Sequence, residues 1–235
     1  MSLIPWLEDL HFPPASEALV DPNGLLAAGG DLSPQRLLLA YRQGIFPWFD
    51  DEQPILWWSP DPRAVLYPSD IHISRSLAKR LRRNAFTFSF DTHFNAVVEA
   101  CAAPRSYSQG TWITDEMANA YSQLHRLGYA HSLEVWLEDE LVGGLYGISL
   151  GKLFFGESMF SRVPDASKAA FVALARQCQA WDFPLIDCQI ANPHLSSMGA
   201  VDISRQTFLD ILDSHGELPH PLGPWQFSID TGALV

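Results

Sequence analysis

The sequence has few cysteines, no long apolar run and no basic residue near its start. The three cysteines, Cys101, Cys178 and Cys188, are widely spaced and odd in number, which disfavours a disulfide framework and favours a reducing compartment. No apolar segment approaches the roughly 20 residues that a membrane-spanning helix needs. The first ten residues contain Asp and Glu but no Lys or Arg, unlike a signal peptide. We therefore expect a cytoplasmic protein that does not enter a membrane.

Recognisable cofactor and metal motifs are also missing. The sequence contains no Gly-x-x-x-x-Gly-Lys-Ser/Thr loop, no Gly-x-Gly-x-x-Gly turn after a strand and no His-Glu-x-x-His. A hydrolase nucleophile motif would need a second glycine after Gly156 and Ser158, but Phe160 stands there. The eight histidines show no metal-ligand spacing. We expect neither a metal ion nor an organic cofactor.

Basic residues are scarce overall but locally clustered. The formal net charge is −12, so non-specific nucleic-acid binding is not the default expectation. Five basic residues nevertheless fall within one predicted helix: Arg75, Lys79, Arg80, Arg82 and Arg83. RNA phosphates are natural partners of such a patch. The alternative is a solvated helix face that balances nearby acidic residues.

The chain changes character near residue 60. The first 60 residues contain eight prolines and one credible helix, residues 34–43, with Ser33 as its cap and Gly44 after its end. Predicted strands and helices alternate after residue 62. We predict a small loop-rich N-terminal domain, residues 1–61, followed by an α+β domain, residues 62–235.

The order of elements in the second domain favours one class of fold. Strands are predicted at residues 63–67, 86–90, 131–138, 141–150, 152–160 and 185–190, and helices at 74–84, 92–102, 114–127, 166–181 and 205–213. Three consecutive strands form an antiparallel meander, after which a helix precedes a buried strand. This order predicts a mixed, largely antiparallel sheet flanked by helices. The arrangement is compatible with the fold of many N-acetyltransferases (GNAT-like), and fixes no function by itself.

A carboxylate interrupts one apolar strand of the predicted meander. Glu157 follows Phe154 and Phe155, and strand alternation places Phe155 and Glu157 on one face and Phe154 on the other. A carboxylate there is unfavourable unless it is paired or reaches a cleft. Glu157 is therefore a candidate site residue that binds a cation or handles a proton. The alternative is a buried salt bridge to Arg162 or another arginine.

A second polar pair interrupts the short buried strand at residues 185–190. Asp187 and Gln189 alternate with apolar residues and share a strand face. Such a pair favours a shared hydrogen-bond network in which Asp187 orients Gln189 toward a reacting group. The alternative is a structural network under the C-terminal helix.

Taken together, the motifs resemble those of the bacterial leucyl/phenylalanyl-tRNA–protein transferases. The resemblance spans roughly residues 20 to 200 in the family's order, and each long motif is unusual. The matching stretches are residues 22–26, 29–32, 44–49, 57–63, 72–76, 110–114, 131–136, 140–144, 156–161, 166–168 and 185–189, together with Tyr41.

The resemblance implies a small N-terminal domain, a GNAT-like domain and a cofactor-free aminoacyltransferase reaction (the leucyltransferase type). Leu or Phe, and less efficiently Met, would pass from aminoacyl-tRNA to the α-amino group of proteins that begin with Lys or Arg. The new N-terminus would mark those proteins for N-end-rule degradation. The resemblance further implies a cytoplasmic enzyme, which we expect to be a monomer.

The resemblance also assigns roles to individual residues. It implies that Asp187 and Gln189 assist the attacking amine. We hypothesise that Gln189 contacts the amine, that Asp187 polarises Gln189, and that Glu157 fixes the amine or basic side chain of the acceptor. Trp48 and Trp112 resemble aromatics that stack near the terminal adenosine, and the basic helix would hold acceptor-stem phosphates.

The donor side chain requires an apolar slot that takes Leu and Phe but excludes side chains branched at Cβ. We predict that five residues line it: Leu145, Phe155, Phe171, Leu174 and Ile186. Each could instead be ordinary core. An apolar slot discriminates by only about 1–3 kcal/mol per methylene group, so its shape must contribute.

Two other functions are compatible with the same fold. A CoA-dependent N-acetyltransferase is disfavoured because residues 161–166, after the meander, lack the glycine of a pyrophosphate-binding loop. A non-enzymatic RNA-binding adaptor is disfavoured because both candidate polar strands are intact.

Overall fold

The computed structural model describes residues 4–103, 112–219 and 222–235, so residues 110–111 of one family motif lie outside the described residues. The helices are α1 (Pro34–Arg42), α2 (Arg75–Leu81), α3 (Phe94–Ala102), α4 (Asp115–Arg126), α5 (Ala166–Ala180), α6 (Pro193–Ser197) and α7 (Arg205–His215). The strands are β1 (Trp6–Leu7), β2 (Leu25–Gly29), β3 (Phe46–Pro47), β4 (Leu56–Trp58), β5 (Arg63–Leu66), β6 (Thr87–Phe90), β7 (Ala130–Leu137), β8 (Glu140–Leu150), β9 (Leu153–Ser161), β10 (Leu185–Gln189) and β11 (Val201–Ile203). Among these described residues, no helix is both long and apolar enough to cross a membrane.

The strands form two sheets. The small sheet has the order β1-β2-β4-β3, and the large sheet has the order β11-β5-β10-β9-β8-β7-β6. Every neighbouring pair in the large sheet is antiparallel except β9 and β10, which are parallel. The predicted α+β class and the mixed, largely antiparallel sheet are therefore confirmed.

Local sequence signals explain where several helices begin. The hydroxyl groups of Ser33, Ser74 and Thr114 accept hydrogen bonds from backbone N–H groups in the first turns of α1, α2 and α4. These contacts satisfy donors that a helix leaves unpaired at its start. The predicted helix 74–84 is nevertheless too long, because α2 ends at Leu81 and Asn84 has a left-handed backbone. The strands of the small sheet are not predicted from the sequence because they are only two to five residues long.

Two apolar clusters cover opposite faces of the large sheet. Phe155 and Tyr146 belong to the first cluster, whereas Phe154 and Leu145 belong to the second. The first cluster also includes residues of the small sheet and α1, such as Trp57. The two sheets thus share one core, and the division into residues 1–61 and 62–235 stays a prediction.

An irregularity in β9 separates it from β10 and opens the large sheet. Tyr146 pairs with Ser158 and Gly147 pairs with Gly156, so Glu157 has no partner on β8. A Cβ atom on Gly147 would lie 2.1 Å from the carbonyl oxygen of Phe155, so this close approach requires glycine. Strands β9 and β10 pair only as far as Phe155 and Asp187, and beyond this point they diverge.

The C-terminal segment is irregular, as predicted, but it is firmly attached. Trp225 packs in the second cluster against Trp181, Phe90 and Phe154, with ring centroids 4.7, 5.6 and 5.8 Å away. Its backbone N–H donates to the Asp91 carboxylate at 2.6 Å. The segment therefore covers the side of the sheet that carries Phe154.

We expect Trp225→Ala to lower the free energy of unfolding by about 3–5 kcal/mol, because it leaves a cavity among aromatic rings. Chemical denaturation measures this change. Trp6→Ala is the matched control, since 63% of Trp6 is exposed, and it should change stability little. Equal effects of the two substitutions would contradict the assigned packing.

Candidate active site

A cleft of about 1110 Å³ opens where β9 and β10 diverge. Its walls are the second half of β9, the end of β10 with the loop that follows, α5, and the segment at residues 46–48. Nine predicted site residues line it: Trp48, Trp112, Leu145, Glu157, Phe171, Leu174, Ile186, Asp187 and Gln189. The cleft therefore brings together residues from both sheets that are distant in sequence.

The prediction for Phe155 is wrong, because this ring lies outside the cleft lining. Phe155 is fully buried in the first cluster, where it packs against Tyr41 and Phe208 at centroid distances of 5.2 and 6.4 Å. Phe154 lines the cleft instead, with Leu145 and Ile186 of the second cluster. Phe154 and Phe155 do lie on opposite faces of the strand, but the slot opens on the face of Phe154.

Glu157 lies at the centre of a polar network in the cleft. Its two carboxylate oxygens lie 2.8 Å from the Tyr41 hydroxyl and 2.7 Å from the Tyr121 hydroxyl, and the two hydroxyls lie 2.7 Å apart. The side-chain amide of Gln189 donates to the same carboxylate at 3.1 Å. Among the described residues Glu157 forms no ion pair, so the predicted alternative of a salt bridge to Arg162 or another arginine is wrong.

Burial, rather than the hydrogen bonds, favours the protonated form of Glu157. Both tyrosine hydroxyls donate to its carboxylate, and such contacts favour the ionised form. Burial raises the pKa of Glu157 from its usual 4.5 to about 7, although the hydrogen bonds from Tyr121 and Tyr41 oppose the rise. Burial also raises the pKa of both tyrosines, so they remain protonated donors. Glu157 can therefore gain or lose a proton near neutral pH.

Asp187 is occupied by a buried arginine. Arg63 donates to its two carboxylate oxygens at 2.8 and 2.6 Å, and neither side chain is exposed. The remaining nitrogen of the Arg63 guanidinium, Nη1, donates to the Gly44 carbonyl at 3.0 Å. The guanidinium also lies 4.5 Å from the centre of the Phe208 ring in α7. For Asp187, this geometry fits the alternative given above, in which the residue belongs to a structural network under the C-terminal helix, α7.

The predicted coupling between Asp187 and Gln189 takes a different form. Asp187 accepts a hydrogen bond from the backbone N–H of Gln189 at 3.0 Å. The Gln189 side chain instead contacts Glu157. Asp187 therefore holds the end of β10, where Gln189 has a left-handed backbone with φ of 57°, and does not polarise the amide directly.

Sequence reasoning missed three residues of this network: Tyr41, Tyr121 and Arg63. Tyr41 and Arg63 lie within matched motifs, but nothing in those motifs indicates a partner for either side chain. Tyr121 sits on the buried face of α4 and looked like ordinary core. A buried tyrosine needs a partner for its hydroxyl, but sequence alone does not identify that partner.

The basic helix lies outside the lining of the cleft but approaches one end of it. Arg75, Lys79, Arg82 and Arg83 are exposed. Arg80 is half-buried and lies 3.8 Å from the carboxylate of Asp165 at the start of α5. The first turn of α5 contributes Ser167 to the cleft. A basic surface therefore adjoins that end of the cleft.

The described residues contain no group of three or more His, Cys, Asp or Glu side chains that could hold a metal ion. The three cysteines are buried and form no disulfide. Burial raises the pKa of the Cys178 and Cys188 thiols, which keeps both protonated.

We expect Tyr121→Phe to raise the pKa of Glu157 above about 7, because it removes a hydrogen bond that favours the carboxylate. The carboxyl resonance of Glu157, assigned with Glu157→Gln, reports its titration by ¹³C NMR. Tyr67→Phe is the control, since Tyr67 lies outside the network. An unchanged or lowered pKa in Tyr121→Phe would contradict the network.

Comparison with known proteins identifies the family. A family profile described as leucyl/phenylalanyl-tRNA protein transferase matches residues 65–213, and a profile for the N-terminal domain of such proteins matches residues 30–61. A curated leucyl/phenylalanyl-tRNA–protein transferase from Hahella chejuensis is 59% identical over 233 residues, 98% of each chain. One from Pseudomonas fluorescens is 59% identical over 225 residues, 95% of this chain and 99% of the relative.

Solved structures are more distant. L-PGS from Bacillus licheniformis has a TM-score of 0.40 and 13% identity, over 68% of this chain and 52% of that one. A GCN5-related N-acetyltransferase from Kribbella flavida has a TM-score of 0.35 and 11% identity, over 73% and 61%. Because the profile match covers residues 65–213 and the curated relatives match nearly end to end, the chain belongs to the leucyl/phenylalanyl-tRNA–protein transferase family.

Proposed function

We propose that this aminoacyltransferase moves Leu or Phe from charged tRNA to the α-amino group of proteins that begin with Lys or Arg. Family membership and the names of the relatives support aminoacyl transfer from tRNA to protein over CoA-dependent acetylation or a non-enzymatic role. The observation that carries the chemistry is Glu157, a carboxylate that titrates near neutral pH in an open cleft.

The reaction needs one proton to be managed. The α-amino group of the acceptor attacks only when it is neutral, so its ammonium form must first lose a proton. Ionised Glu157 can accept that proton into the ring of Tyr41 and Tyr121 hydroxyls. The amine then forms a bond to the ester carbonyl carbon and gives up its second proton. The bond to the ribose oxygen breaks, and that oxygen takes up the second proton and leaves as the tRNA hydroxyl, while Glu157 releases the first proton to solvent.

The polar residues divide this work. Glu157 and Gln189 face the reacting groups as catalytic residues, and the contact between them keeps the amide oriented. Asp187 acts as a positioning residue, because Arg63 occupies its carboxylate and its contact to Gln189 is through the backbone. This assignment replaces the proposed polarisation of Gln189 by Asp187.

The donor side chain is proposed to occupy the apolar wall of the same cleft. This wall consists of Leu145, Phe154, Phe171, Leu174 and Ile186. It lies beside Glu157, so an ester whose side chain fills it has its carbonyl near the polar network. Rigid packing against α5 would give the wall a fixed shape, which is what discrimination against branching at Cβ requires.

The RNA is proposed to enter past two tryptophans. Trp48 is 43% exposed and Trp112 is half-buried, and both line the cleft. Stacking on such rings suits a terminal adenosine. The exposed basic residues of α2 and the following turn would bind phosphates of the acceptor stem. We further propose a cytoplasmic, monomeric, cofactor-free enzyme whose products enter N-end-rule degradation.

Transfer of radiolabelled Leu and Phe from charged tRNA tests the proposal directly. We expect label on a protein that begins with Arg and none on the same protein beginning with Ser. The rate should rise with pH through about 7, as Glu157 becomes ionised. Glu157→Gln should slow single-turnover transfer by about 10²–10⁴-fold and remove this pH dependence, because it removes the proton acceptor.

The outcomes separate the activity from the mechanism. Absence of transfer to the Arg protein would refute the function. Full activity in Glu157→Gln would refute only the role of Glu157.

Charge reversal on the basic helix tests its contact with RNA. We expect Lys79→Glu, Arg80→Glu and Arg83→Glu together to raise the apparent KM for charged tRNA and to weaken its dependence on salt, because fewer counterions are released. Steady-state rates at several salt concentrations measure both. An unchanged salt slope would remove the helix from the RNA-binding surface.

A further inference from the structure

One charged residue of the cleft has no role in the chemistry described above. The described side chains that line the cleft include two carboxylates, Glu157 and Asp187, and one arginine, Arg162. Asp187 is neutralised by Arg63, and Glu157 titrates near pH 7. Burial lowers the pKa of His194, which also lines the cleft, so its ring is neutral at that pH. Arg162 is therefore the one fixed cation on the described walls.

Arg162 is held in place without an ion pair to any described residue, although it also lines a neighbouring depression with Glu99 and Asp139. Its Nη1 atom donates to the Leu141 carbonyl at 2.9 Å, and its guanidinium lies 5.5 Å from the centre of the Phe160 ring. Its backbone N–H donates to the Val142 carbonyl at 2.7 Å. None of the ion pairs in the described part of the chain involves Arg162. The guanidinium thus keeps donors for an anion in a protein of net charge −12.

The donor RNA brings such an anion to this wall. An aminoacyl ester on the terminal ribose lies one sugar away from the phosphodiester that links the last two nucleotides. If the ester lies beside Glu157, this phosphodiester must lie close by, in or at the mouth of the cleft. Arg162 follows the end of β9, the strand that carries Glu157. An arginine is suited to this position because its planar fork can bind two phosphate oxygens at once.

We propose that Arg162 binds the phosphodiester immediately 5′ of the terminal adenosine and so sets the depth to which the ester enters the cleft. This inference rests on the proposed function. It is distinct from the basic helix, which lies outside the cleft lining and would contact phosphates farther along the acceptor stem. Arg162 is accordingly a positioning residue, since it touches the RNA rather than the reacting carbonyl.

Two minimal donors that differ by one phosphate test the proposal. Leucyl-adenosine, esterified at the ribose 3′ position, carries no phosphodiester, and the leucyl ester of the dinucleotide CpA carries one. We expect Arg162→Gln to lower kcat/KM by roughly 10- to 100-fold with leucyl-CpA and charged tRNA, as loss of hydrogen bonds to a charged group predicts. The loss with leucyl-adenosine should be much smaller. Arg162→Lys, which keeps the charge but loses the fork, should fall between Arg162→Gln and the wild type.

The controls make each outcome informative. Arg126→Gln removes an exposed arginine at the end of α4 that does not line the cleft, and should not distinguish the donors. Thermal unfolding verifies that each variant is folded. An equal loss with both minimal donors, or no loss with either, would overturn the phosphate contact. Failure of the wild type to use charged tRNA would instead refute the proposed function, so the two failures are distinguishable.

Discussion

The buried ion pair between Arg63 and Asp187 is the interaction on which the site depends. It joins β5 to β10, binds the Gly44 carbonyl between α1 and β3, and lies under Phe208 of α7. Two charges without solvent exposure are stable only with full hydrogen bonding, which this arrangement largely provides. Because Asp187 also accepts the backbone N–H of Gln189, the pair fixes the strand end from which the Gln189 amide reaches Glu157.

The separation of β9 from β10 supplies the space that this network requires. A regular sheet would continue its ladder past Phe155, and no cleft would form between the two strands. The bulge at Glu157 and the left-handed backbone at Gln189 stop the pairing at the same level. One side of the opening is then lined by the apolar wall that includes Phe154, and the other by Glu157 and Gln189. The same gap can hold an aliphatic or aromatic side chain and a proton acceptor side by side.

The distribution of charge on the chain suits the two proposed substrates, an RNA donor and a protein acceptor. The chain as a whole is acidic, whereas exposed basic residues concentrate at α2 and the turn that follows it, and Arg162 adds one cation within the cleft. RNA would therefore meet local positive potential along one approach. An acceptor with a cationic N-terminus would be attracted by the acidic remainder of the surface.

The sequence by itself determined the class of fold and most of the long elements. Caps such as Ser33 and Thr114 are local signals that survive in the folded chain. It also located Glu157, Asp187 and Gln189, because polar residues on apolar strands are conspicuous. Only the tertiary structure decided their partners. Tyr41, Tyr121 and Arg63 are distant in sequence, and Phe154 rather than Phe155 lines the slot, because these contacts depend on how the faces of separate elements pack together.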